Sequence, residues 1–410
     1  MIQTLTAKIR IMPSEEEGQL LLTTMKAYAE ACSFVAQKIA ENHVPLRICA
    51  IHKEVYRSCR ILFGLPSQMA ASTIRTAVAS YKTIRTLKER HPSRFSSKKR
   101  NRVIVPEFRK PQVSLVWNRD YSIVWDKNHT KQLFSINTLK GRIRVSFRAD
   151  AFAWAFSKDA SFGTAKLVCR HGKFFLHVPV SREIPDPAPL SPETTVVGID
   201  RGIRFLTATY DGRKSTFTSG FVIRHKRAHY KTLRQELQRR KTSSARRRLR
   251  AIGQRENRWI GDVNHCLSKA LVCGYPKGTV FALEDLTGIR SATERVRVKD
   301  RYVSVSWAYY DFESKLTYKA ALAGSRAVKF NPAYTSQACP VCGHTEKANR
   351  IKKQHLFCCR KCGYQSNDDR IGAMNLWRMG IQYLPGLGCP HRIPHCRSMS
   401  PAGGALSIVP

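Results

Sequence analysis

In the first hundred residues the spacing of hydrophobic positions changes once, from the alternation of a strand to the period of a helix. Apolar and polar positions alternate over residues 3–12, which predicts a strand. Residues 13–17 then end this strand and supply the capping serine and the acidic first turn of a helix. From there to about Arg94 the period is helical and predicts a small bundle, whose basic later part fits either a solvated face or a nucleic-acid contact. The apolar positions are Leu5, Ala7, Ile9 and Ile11 in the strand and Leu20, Leu21, Met25, Tyr28, Phe34, Val35, Ile39, Ile74, Val78, Tyr81 and Ile84 in the bundle.

Short alternating runs replace the helical period over residues 103–180. Gly, Asn and Asp separate these runs, as in an all-β barrel built from hairpins. We expect the strand at residues 3–12 to join this sheet, with the helical bundle inserted after it. The proline-rich segment 184–189 is stiff and predicts a domain boundary.

Two apolar strands in the second half of the chain each lead to a carboxylate. The first covers residues 194–200 and ends at Asp200, and a further strand and a tight turn at Asp211-Gly212 follow it. The other covers residues 279–285 and places Glu284 at its end. A strand-end aspartate before a turn is typical of an Asx turn, so Asp200 taken alone fits a turn as well as a catalytic site.

A strongly basic stretch, residues 224–258, lies between these two strands. Its apolar residues keep one helical face available for packing, while its cations are too dense to form intrahelical pairs with the few acids present. Phosphates are their expected counter-charge, so the stretch is predicted to bind nucleic acid. The cations include Arg234, Arg239, Arg240, Lys241, Arg246, Arg247, Arg248 and Arg250, among Leu233, Leu237, Leu249 and Ile252.

Two Cys-x-x-Cys pairs, each followed by glycine, follow further along the chain. Their Cys-x2-Cys-x16-Cys-x2-Cys spacing predicts a zinc ribbon, in which two knuckles close four thiolates around one ion. Cys358 is a rival ligand, but only Cys359 gives the two-residue spacing and shares a strand face with Phe357. Four protein thiolates leave no open position, so this zinc would be structural. The predicted ligands are Cys339, Cys342, Cys359 and Cys362.

A helix is predicted to open at Asn367-Asp368-Asp369, directly after the second cysteine pair. Taken alone, an aspartate there is typical of an N-cap that accepts hydrogen bonds from the first free amides. The apolar residues of this helix are Ile371, Met374, Leu376 and Trp377.

Charge and composition narrow the function class. The chain has 410 residues and a formal net charge of +42, and so large an excess repels itself unless a polyanion neutralises it, so nucleic acid is the expected partner. No apolar run reaches the roughly 18 residues that a membrane span needs, and no leader opens the sequence. Thirteen cysteines in such a chain fit a reducing cytosol, with four used for zinc.

The second half of the chain resembles a known nuclease family in the order of its elements: a β-hairpin, a basic helix, a strand, a zinc ribbon and a helix. Over residues 190–380 this order resembles the split RuvC domain, an RNase H-like fold, of the TnpB proteins of bacterial insertion sequences and of the related compact type V CRISPR effectors. The motifs that carry the resemblance are Val197-Gly198-Ile199-Asp200-Arg201-Gly202, Leu283-Glu284-Asp285-Leu286, Pro332-x-Tyr334-Thr335-Ser336-Gln337-x-Cys339-Pro340-x-Cys342-Gly343 and Asn367-Asp368-Asp369-x-x-Gly372-Ala373-x-Asn375-Leu376.

Two positions depart from the family pattern. Asp368 stands where many relatives have a small residue, and Ile371 stands where they have asparagine. Registration on Asn375-Leu376 selects Asp369 as the third acidic residue and leaves Asp368 as an alternative ligand.

The resemblance implies an α+β multidomain protein. The expected domains are a β-barrel wedge domain over residues 1–12 and 101–184, a helical recognition lobe over 13–100, a RuvC-like α/β nuclease domain over 191–332 and 366–380 with a zinc ribbon inserted over 333–365, and a disordered tail over 381–410.

The resemblance also implies the chemistry and the partners. Asp200 would bridge two Mg²⁺ ions about 4 Å apart, with Glu284 and Asp369 each completing one site. A guide RNA transcribed from the end of the element would direct cleavage of both strands of target double-stranded DNA beside a short motif read by the protein. A cytoplasmic monomer is expected rather than a dimer. Nucleic-acid contacts are expected at Gln68, Arg75, Lys82, Arg239, Arg240, Arg246, Arg247 and Arg248.

Three other functions fit parts of the same pattern. An RNA-guided repressor without nuclease activity is expected to lack one or more of the three acidic residues, and all are present. A CRISPR effector would differ from a transposon protein in the neighbouring DNA. A junction-resolving nuclease would not need a recognition lobe or so large a positive charge.

Overall fold

The computed structural model describes residues 1–42, 45–90, 92, 95, 103–125, 132–148, 159–253, 255–286, 308–352 and 354–385. They fall into two compact units, Met1–Glu183 and Ile184–Pro410, which divide at the start of the proline-rich segment. No helix among the described residues is long and apolar enough to cross a membrane.

The first unit is built on one antiparallel sheet. Strand β1 lies in its interior, paired with β8 from Ile2 to Ile11 and with β5 from Arg10 to Met12, so the predicted strand at residues 3–12 does join the later hairpins. The order is β2-β7-β8-β1-β5-β4-β3, with β6 paired to β8. The strands are β1 (Ile2–Met12), β2 (Gln112–Leu115), β3 (Tyr121–Trp125), β4 (Gln132–Thr138), β5 (Gly141–Arg148), β6 (Ser161–Phe162), β7 (Ala165–Arg170) and β8 (Lys173–Glu183).

Three helices follow β1, as the apolar period predicted. Ser14 caps the first of them: its hydroxyl accepts from the Glu17 amide at 3.2 Å and its own amide donates to the Glu17 carboxylate at 2.8 Å. The apolar faces of the helices and one face of the sheet share a single core. The helices are α1 (Glu15–Glu41), α2 (Ile48–Phe63) and α3 (Ser67–Arg90).

A five-stranded mixed sheet organises the second unit. Its order is β11-β10-β9-β12-β13, in which β12 runs parallel to both β9 and β13 while β10 is antiparallel to β9. The central strands β9 and β12 are apolar up to their terminal carboxylates, as expected of strands covered by helices on both faces. The strands are β9 (Val196–Asp200), β10 (Phe205–Tyr210), β11 (Ser215–Ser219), β12 (Val280–Glu284) and β13 (Arg326–Phe330).

Five α-helices are described in the second unit, outside residues 287–307 and 386–410. Val197 and Phe281 face the helices α6 and α7, whereas Val196 and Ala282 face α8 on the other side of the sheet. Helices α4 and α5 pack on each other through the apolar face predicted for the basic stretch. The helices are α4 (Phe221–Arg240), α5 (Ser243–Ile252), α6 (Arg255–Cys273), α7 (Tyr309–Leu322) and α8 (Asp368–Gln382).

A small three-stranded antiparallel sheet stands between β13 and α8, in the order β14-β15-β16. Its strands are β14 (Arg350–Ile351), β15 (Leu356–Cys358) and β16 (Gln365–Asn367).

The predicted tail over residues 381–410 begins too early. Helix α8 continues to Gln382, and Leu384 is buried in the core that α8 forms with the sheet, because the apolar period of the helix extends past Gly380. Residues 386–410 lie outside the described part of the chain.

Candidate active site and cysteine cluster

Two of the predicted acidic residues lie at the same edge of the five-stranded sheet. Strands β9 and β12 are parallel neighbours, and Ile199 is the register partner of Leu283. The next residues are Asp200 and Glu284, at the carboxyl ends of their strands. Both are half-buried, so their carboxylates reach a shared, partly accessible position.

Helix α8 brings the third acidic residue to this edge, because two glycines let it approach β9 closely. A Cβ atom on Gly198 would lie 2.0 Å from the Ala373 carbonyl oxygen, and one on Gly372 would lie 2.9 Å from Asp200 Cγ. Asp369 is in the first turn of this helix, and its Oδ1 faces the turn after β9, 3.9 Å from a Cβ position on Gly202.

The cap of α8 is Asn367, not an aspartate. Its side-chain oxygen accepts from the amides of Asp369 at 3.0 Å and Arg370 at 3.2 Å. The N-cap interpretation of Asp369 is therefore wrong: the neighbouring asparagine takes that role and leaves the carboxylate available. Asp369 is 8% exposed, and its Oδ2 atom is buried without a hydrogen-bond partner among the described residues.

The pKa values of the three carboxyl groups are shifted by burial and by neighbouring charges. Burial, followed by the charges of Glu284 and Asp369, raises the pKa of Asp200 well above its ordinary value. Burial also raises the pKa of Glu284, and burial and the adjacent Asp368 raise that of Asp369. Crowded carboxylates of this kind disfavour their own ionisation unless a cation lies between them.

Tyr309 is a neighbour of the acidic group that the sequence analysis did not single out. Burial, with a smaller contribution from the charge of Asp200, raises the pKa of its phenol to about 12. Tyr309 is half-buried at the start of α7, close enough for the charges of all three acidic residues to act on its phenol.

Two further residues, Arg201 and Thr335, hold the acidic group in place. Both lie in the sequence motifs that carry the family resemblance, but the sequence alone assigned neither of them a role. The Thr335 hydroxyl donates to Glu284 Oε1 at 2.5 Å. The buried Arg201 guanidinium donates to the Glu284 backbone carbonyl and pairs with Glu313 at 3.2 Å. Residue spacing could not reveal these contacts, since the partners are 51 and 83 positions apart.

The four predicted cysteines form one cluster. The Sγ atoms of Cys339 and Cys362 are 3.6 Å apart, and those of Cys342 and Cys359 are 3.5 Å apart. All four sulfurs lie within 4.8 Å of one another. Cys358 is not in the cluster, and the choice of Cys359 is supported by its burial beside Phe357 in one core.

Asn375 joins α8 to the first knuckle of this cluster. Its side-chain amide donates to the carbonyls of Thr335 at 2.7 Å and Ala338 at 2.9 Å. The cysteine cluster and the acidic site are thereby fixed to the same helix, within two turns of each other.

The residues predicted to contact nucleic acid lie on helices of both units. On α3, Gln68 is half-buried and accepts from Arg119 Nη1 at 2.9 Å, whereas Arg75 and Lys82 are exposed one and two heptads further along the same helix face. On α4 and α5 the predicted residues Arg239, Arg240, Arg246, Arg247 and Arg248 are exposed. Arg248 lines a cleft of about 430 Å³ together with Lys226, Tyr230 and Arg255.

The expectation that these cations form no intrahelical pairs is wrong at Arg240, and Arg234 has its partner on another helix. Arg240 forms an i,i+4 pair with Glu236, and Arg234 pairs with the buried Glu256 at 2.5 Å. Glu256 also lies 3.5 Å from Arg227. A single buried glutamate on α6 therefore anchors two arginines of α4. Counting acids and bases along the sequence could not reveal this contact between helices.

Two protein families match the sequence in separate segments. Residues 177–287 match the family OrfB_IS605, described as "Probable transposase". Residues 309–376 match the Cas12f1-like TNB domain. Together they cover the acidic strands, the cysteine cluster and most of the first two turns of α8.

Two curated relatives are similar over about half of the chain. The CRISPR-associated endodeoxyribonuclease Cas12f1 of Syntrophomonas palmitatica is 30% identical over 229 residues, which are 51% of this chain and 44% of that protein. The TnpB-like protein MJ0751 of Methanocaldococcus jannaschii is 28% identical over 186 residues, which are 44% of this chain and 66% of that protein. The chain thus spans less than half of the length of the Syntrophomonas palmitatica protein.

The fold itself is similar to that of a solved protein. The Cas12f1 protein in a cryo-EM structure with sgRNA and target DNA matches with a TM-score of 0.54 and 13% sequence identity, over 92% of this chain and 98% of that one. The motifs, the two family matches and these relatives agree in one respect: the chain is similar to TnpB proteins and to Cas12f1 nucleases.

Proposed function

We propose that this protein is an RNA-guided DNA endonuclease of an insertion sequence, which cleaves double-stranded DNA beside a short adjacent motif. The observation that carries the proposal is the convergence of Asp200, Glu284 and Asp369 from two strand ends and a helix start. Two of these carboxyl groups raise the pKa of the third, as expected of groups that share one cation site.

The acidic group fits divalent metal ions with hard oxygen ligands, and Mg²⁺ is the ion we propose. Its donors are carboxylates, and Asp369 Oδ1 faces the turn after β9, 3.9 Å from a Cβ position on Gly202. When bound, two such ions would neutralise the scissile phosphate and lower the pKa of an attacking water. Asp200, Glu284 and Asp369 would together hold these ions.

The chain's own residues prepare this site. Thr335 fixes one oxygen of Glu284 by its hydrogen bond and favours the ionised carboxylate that a metal requires. Arg201 clamps the end of β12 against the turn after β9, which holds Asp200 and Glu284 side by side.

We propose a RuvC-like, RNase H-like architecture for the sheet β11-β10-β9-β12-β13 and its helices. The segment around the sheet β14-β15-β16, which carries the four cysteines and which we call the cysteine sheet, would be an inserted zinc ribbon. Tetrahedral coordination with Zn–S bonds of about 2.3 Å requires sulfur atoms roughly 3.8 Å apart. The observed separations of 3.5 and 3.6 Å fit that requirement. The zinc would be structural, and its loss would release Thr335 and the start of α8 together.

The first unit would supply the wedge domain and the recognition lobe. We propose its sheet as the wedge domain and its helices α1 to α3 as the recognition lobe. The exposed Arg75 and Lys82 on α3 would contact the guide–target heteroduplex or the DNA beside it.

The basic helices α4 and α5 would bind phosphates. Arg246, Arg247 and Arg248 are exposed on one short helix, and the adjacent cleft places Tyr230 among cations. The formal net charge of +42 suits a protein that holds a folded RNA and a heteroduplex together.

The decisive experiment purifies the chain from its native locus and sequences the RNA that accompanies it. A plasmid library that matches this RNA is then incubated with the complex, with and without Mg²⁺. We expect cleavage of both strands only with Mg²⁺ and only beside a defined motif. Asp200→Ala should abolish cleavage while RNA and DNA binding remain, and nicking at the parent rate by this variant would contradict the proposal.

The same RNA distinguishes the related functions. An RNA that maps to the transposon end supports the insertion-sequence protein, whereas a CRISPR repeat would identify an effector. Binding without cleavage would identify an RNA-guided repressor.

A further inference from the structure

A second group of metal-ligand atoms adjoins Asp369 on the side of the cysteine sheet. His355, Asp368 and Asp369 each offer one ligand atom, and these three atoms lie within 4.8 Å of one another. We call this group the His355 cluster. Neither the spacing of the acidic motifs nor the family resemblance predicts a histidine at this place.

The sheet register builds the cluster. Leu356 in β15 is the register partner of Asn367 in β16, and the Asp368 amide donates to the His355 carbonyl at 3.2 Å. His355 adopts a left-handed backbone conformation, with φ of 53°. This conformation is unusual for a non-glycine residue and turns the chain into β15 beside the first turn of α8.

The ligand atoms of the cluster have no hydrogen-bond partners of their own. Asp368 Oδ1, His355 Nδ1 and Asp369 Oδ2 are each buried and unbonded within the described residues. Asp368 is 1% exposed, and its Oδ1 lies 3.5 Å from His355 Nδ1. The two atoms are at ion-pair distance but form no hydrogen bond, and a cation bound between them would satisfy both.

The distance between these two atoms fits a metal ion. Bonds of about 2.1 Å that meet at roughly 110° at a metal place their two ligand atoms about 3.5 Å apart. The other oxygen of Asp368 is already engaged: Arg350 Nε donates to Oδ2 at 2.8 Å, and its Nη1 donates to Ser336 at 3.0 Å. Arg350 therefore orients Asp368 and leaves Oδ1 directed towards His355.

We propose that His355, Asp368 and Asp369 bind a divalent transition-metal ion of the Mn²⁺ type, next to the magnesium centre. An imidazole nitrogen suits such an ion and not Mg²⁺, which prefers oxygen ligands. The proposal rests on the proposed nuclease function only through Asp369, which both sites share. It gives a role to Asp368, the acid that departs from the family pattern, and to a histidine that the proposed reaction does not use.

The test uses the RNA-free, zinc-loaded full chain and Mn²⁺ as the probe, above the ordinary pKa of histidine. Mn²⁺ binding is titrated by electron paramagnetic resonance, and pulsed measurements detect ¹⁴N coupling from a coordinated imidazole. We expect bound Mn²⁺ with ¹⁴N coupling, whether or not further Mn²⁺ ions occupy the carboxylates of the acidic site. His355→Gln should remove the coupling and lower Mn²⁺ affinity at least 10-fold, because a direct ligand matters no less than an outer-shell partner. Asp368→Asn should lower Mn²⁺ affinity to a similar extent.

Two further variants separate this proposal from the nuclease proposal. His344→Gln alters the other histidine of the cysteine sheet, which pairs with Glu346 at 3.2 Å, and should leave the ¹⁴N coupling unchanged. Asp200→Asn should retain the coupling even though it abolishes cleavage. Absence of ¹⁴N coupling in the parent, or its persistence in His355→Gln, overturns the metal site while guided cleavage can still succeed. Coupling in a chain that does not cleave overturns only the nuclease proposal.

Discussion

Gly372 packs directly on the carboxyl group of Asp200. A Cβ atom at position 372 would lie 2.9 Å from Asp200 Cγ and 3.2 Å from its Oδ1. The close approach of α8 to β9, which brings Asp369 to the acidic site, therefore requires the absence of a side chain at this position.

Gly372→Ala should impair cleavage without disturbing RNA binding. The methyl group forces the Asp200 carboxylate or the first turns of α8 to move, and a misplacement of about 1 Å can cost roughly 100-fold in rate. We expect about that loss in single-turnover cleavage of guide-matched plasmid, with guide-RNA affinity unchanged. Gly261→Ala is the matched control, since a Cβ atom on this α6 glycine meets nothing within 4 Å. Equal rates for the two variants would show that the contact has no functional importance.

The chain segments that carry the acidic residues could be predicted because each leaves a local signal. An apolar run that ends in a carboxylate, as at Ile199-Asp200 and Leu283-Glu284, marks the carboxyl end of a buried strand. The cysteine spacing is likewise local, because each knuckle closes within four residues. These features correspond to β9, β12 and the cysteine cluster.

The supporting contacts could not be predicted because they join distant parts of the chain. Thr335 meets Glu284 across 51 positions, and Arg234 meets Glu256 in another helix. Local propensity also could not decide between Asn367 and Asp369 as the helix cap, since both residue types are good caps. Only the tertiary position of α8 determines which of them faces the acidic site.

Thr335→Val should shift the pH dependence of cleavage. The Thr335 hydroxyl lowers the pKa of Glu284, against the effect of burial. Without this hydrogen bond the pKa of Glu284 rises further, so a smaller fraction is ionised and able to hold a metal ion at a given pH. The acidic limb of the profile of cleavage rate against pH should therefore move to higher pH. Thr335→Ser keeps the hydroxyl and should keep the parent profile; an unshifted limb in Thr335→Val would contradict this role for the bond.

Cys342→Ser and Cys358→Ser should have opposite effects on bound zinc. Cys342 belongs to the cluster of four sulfurs, whereas Cys358 points away from it in β15. We expect Cys342→Ser to lose most of its zinc, measured by elemental analysis, and to unfold at lower temperature, because metal binding contributes to folding. Cys358→Ser should keep one zinc per chain. Zinc retention by the first variant, or zinc loss by the second, would change the ligand assignment.

Replacement of Arg246, Arg247 and Arg248 by glutamine should weaken RNA binding in a salt-dependent way. These side chains are exposed on α5, so their loss leaves the fold intact but removes cations that can neutralise phosphates. If all three contact the RNA, the slope of log affinity against log salt should become shallower by about two to three. The measurement is a series of binding titrations across salt concentrations.

Arg234→Gln is the informative contrast to that triple variant. Arg234 is held by Glu256, whose side chain is only 4% exposed, so its removal leaves a buried carboxylate with weaker compensation. We expect a loss of about 1–3 kcal/mol in the free energy of unfolding and an unchanged salt slope. If Arg234→Gln reduced the slope as much as the triple variant did, the division of these arginines into structural and phosphate-binding sets would be wrong. If the triple variant left the slope unchanged, helix α5 would not be part of the RNA surface.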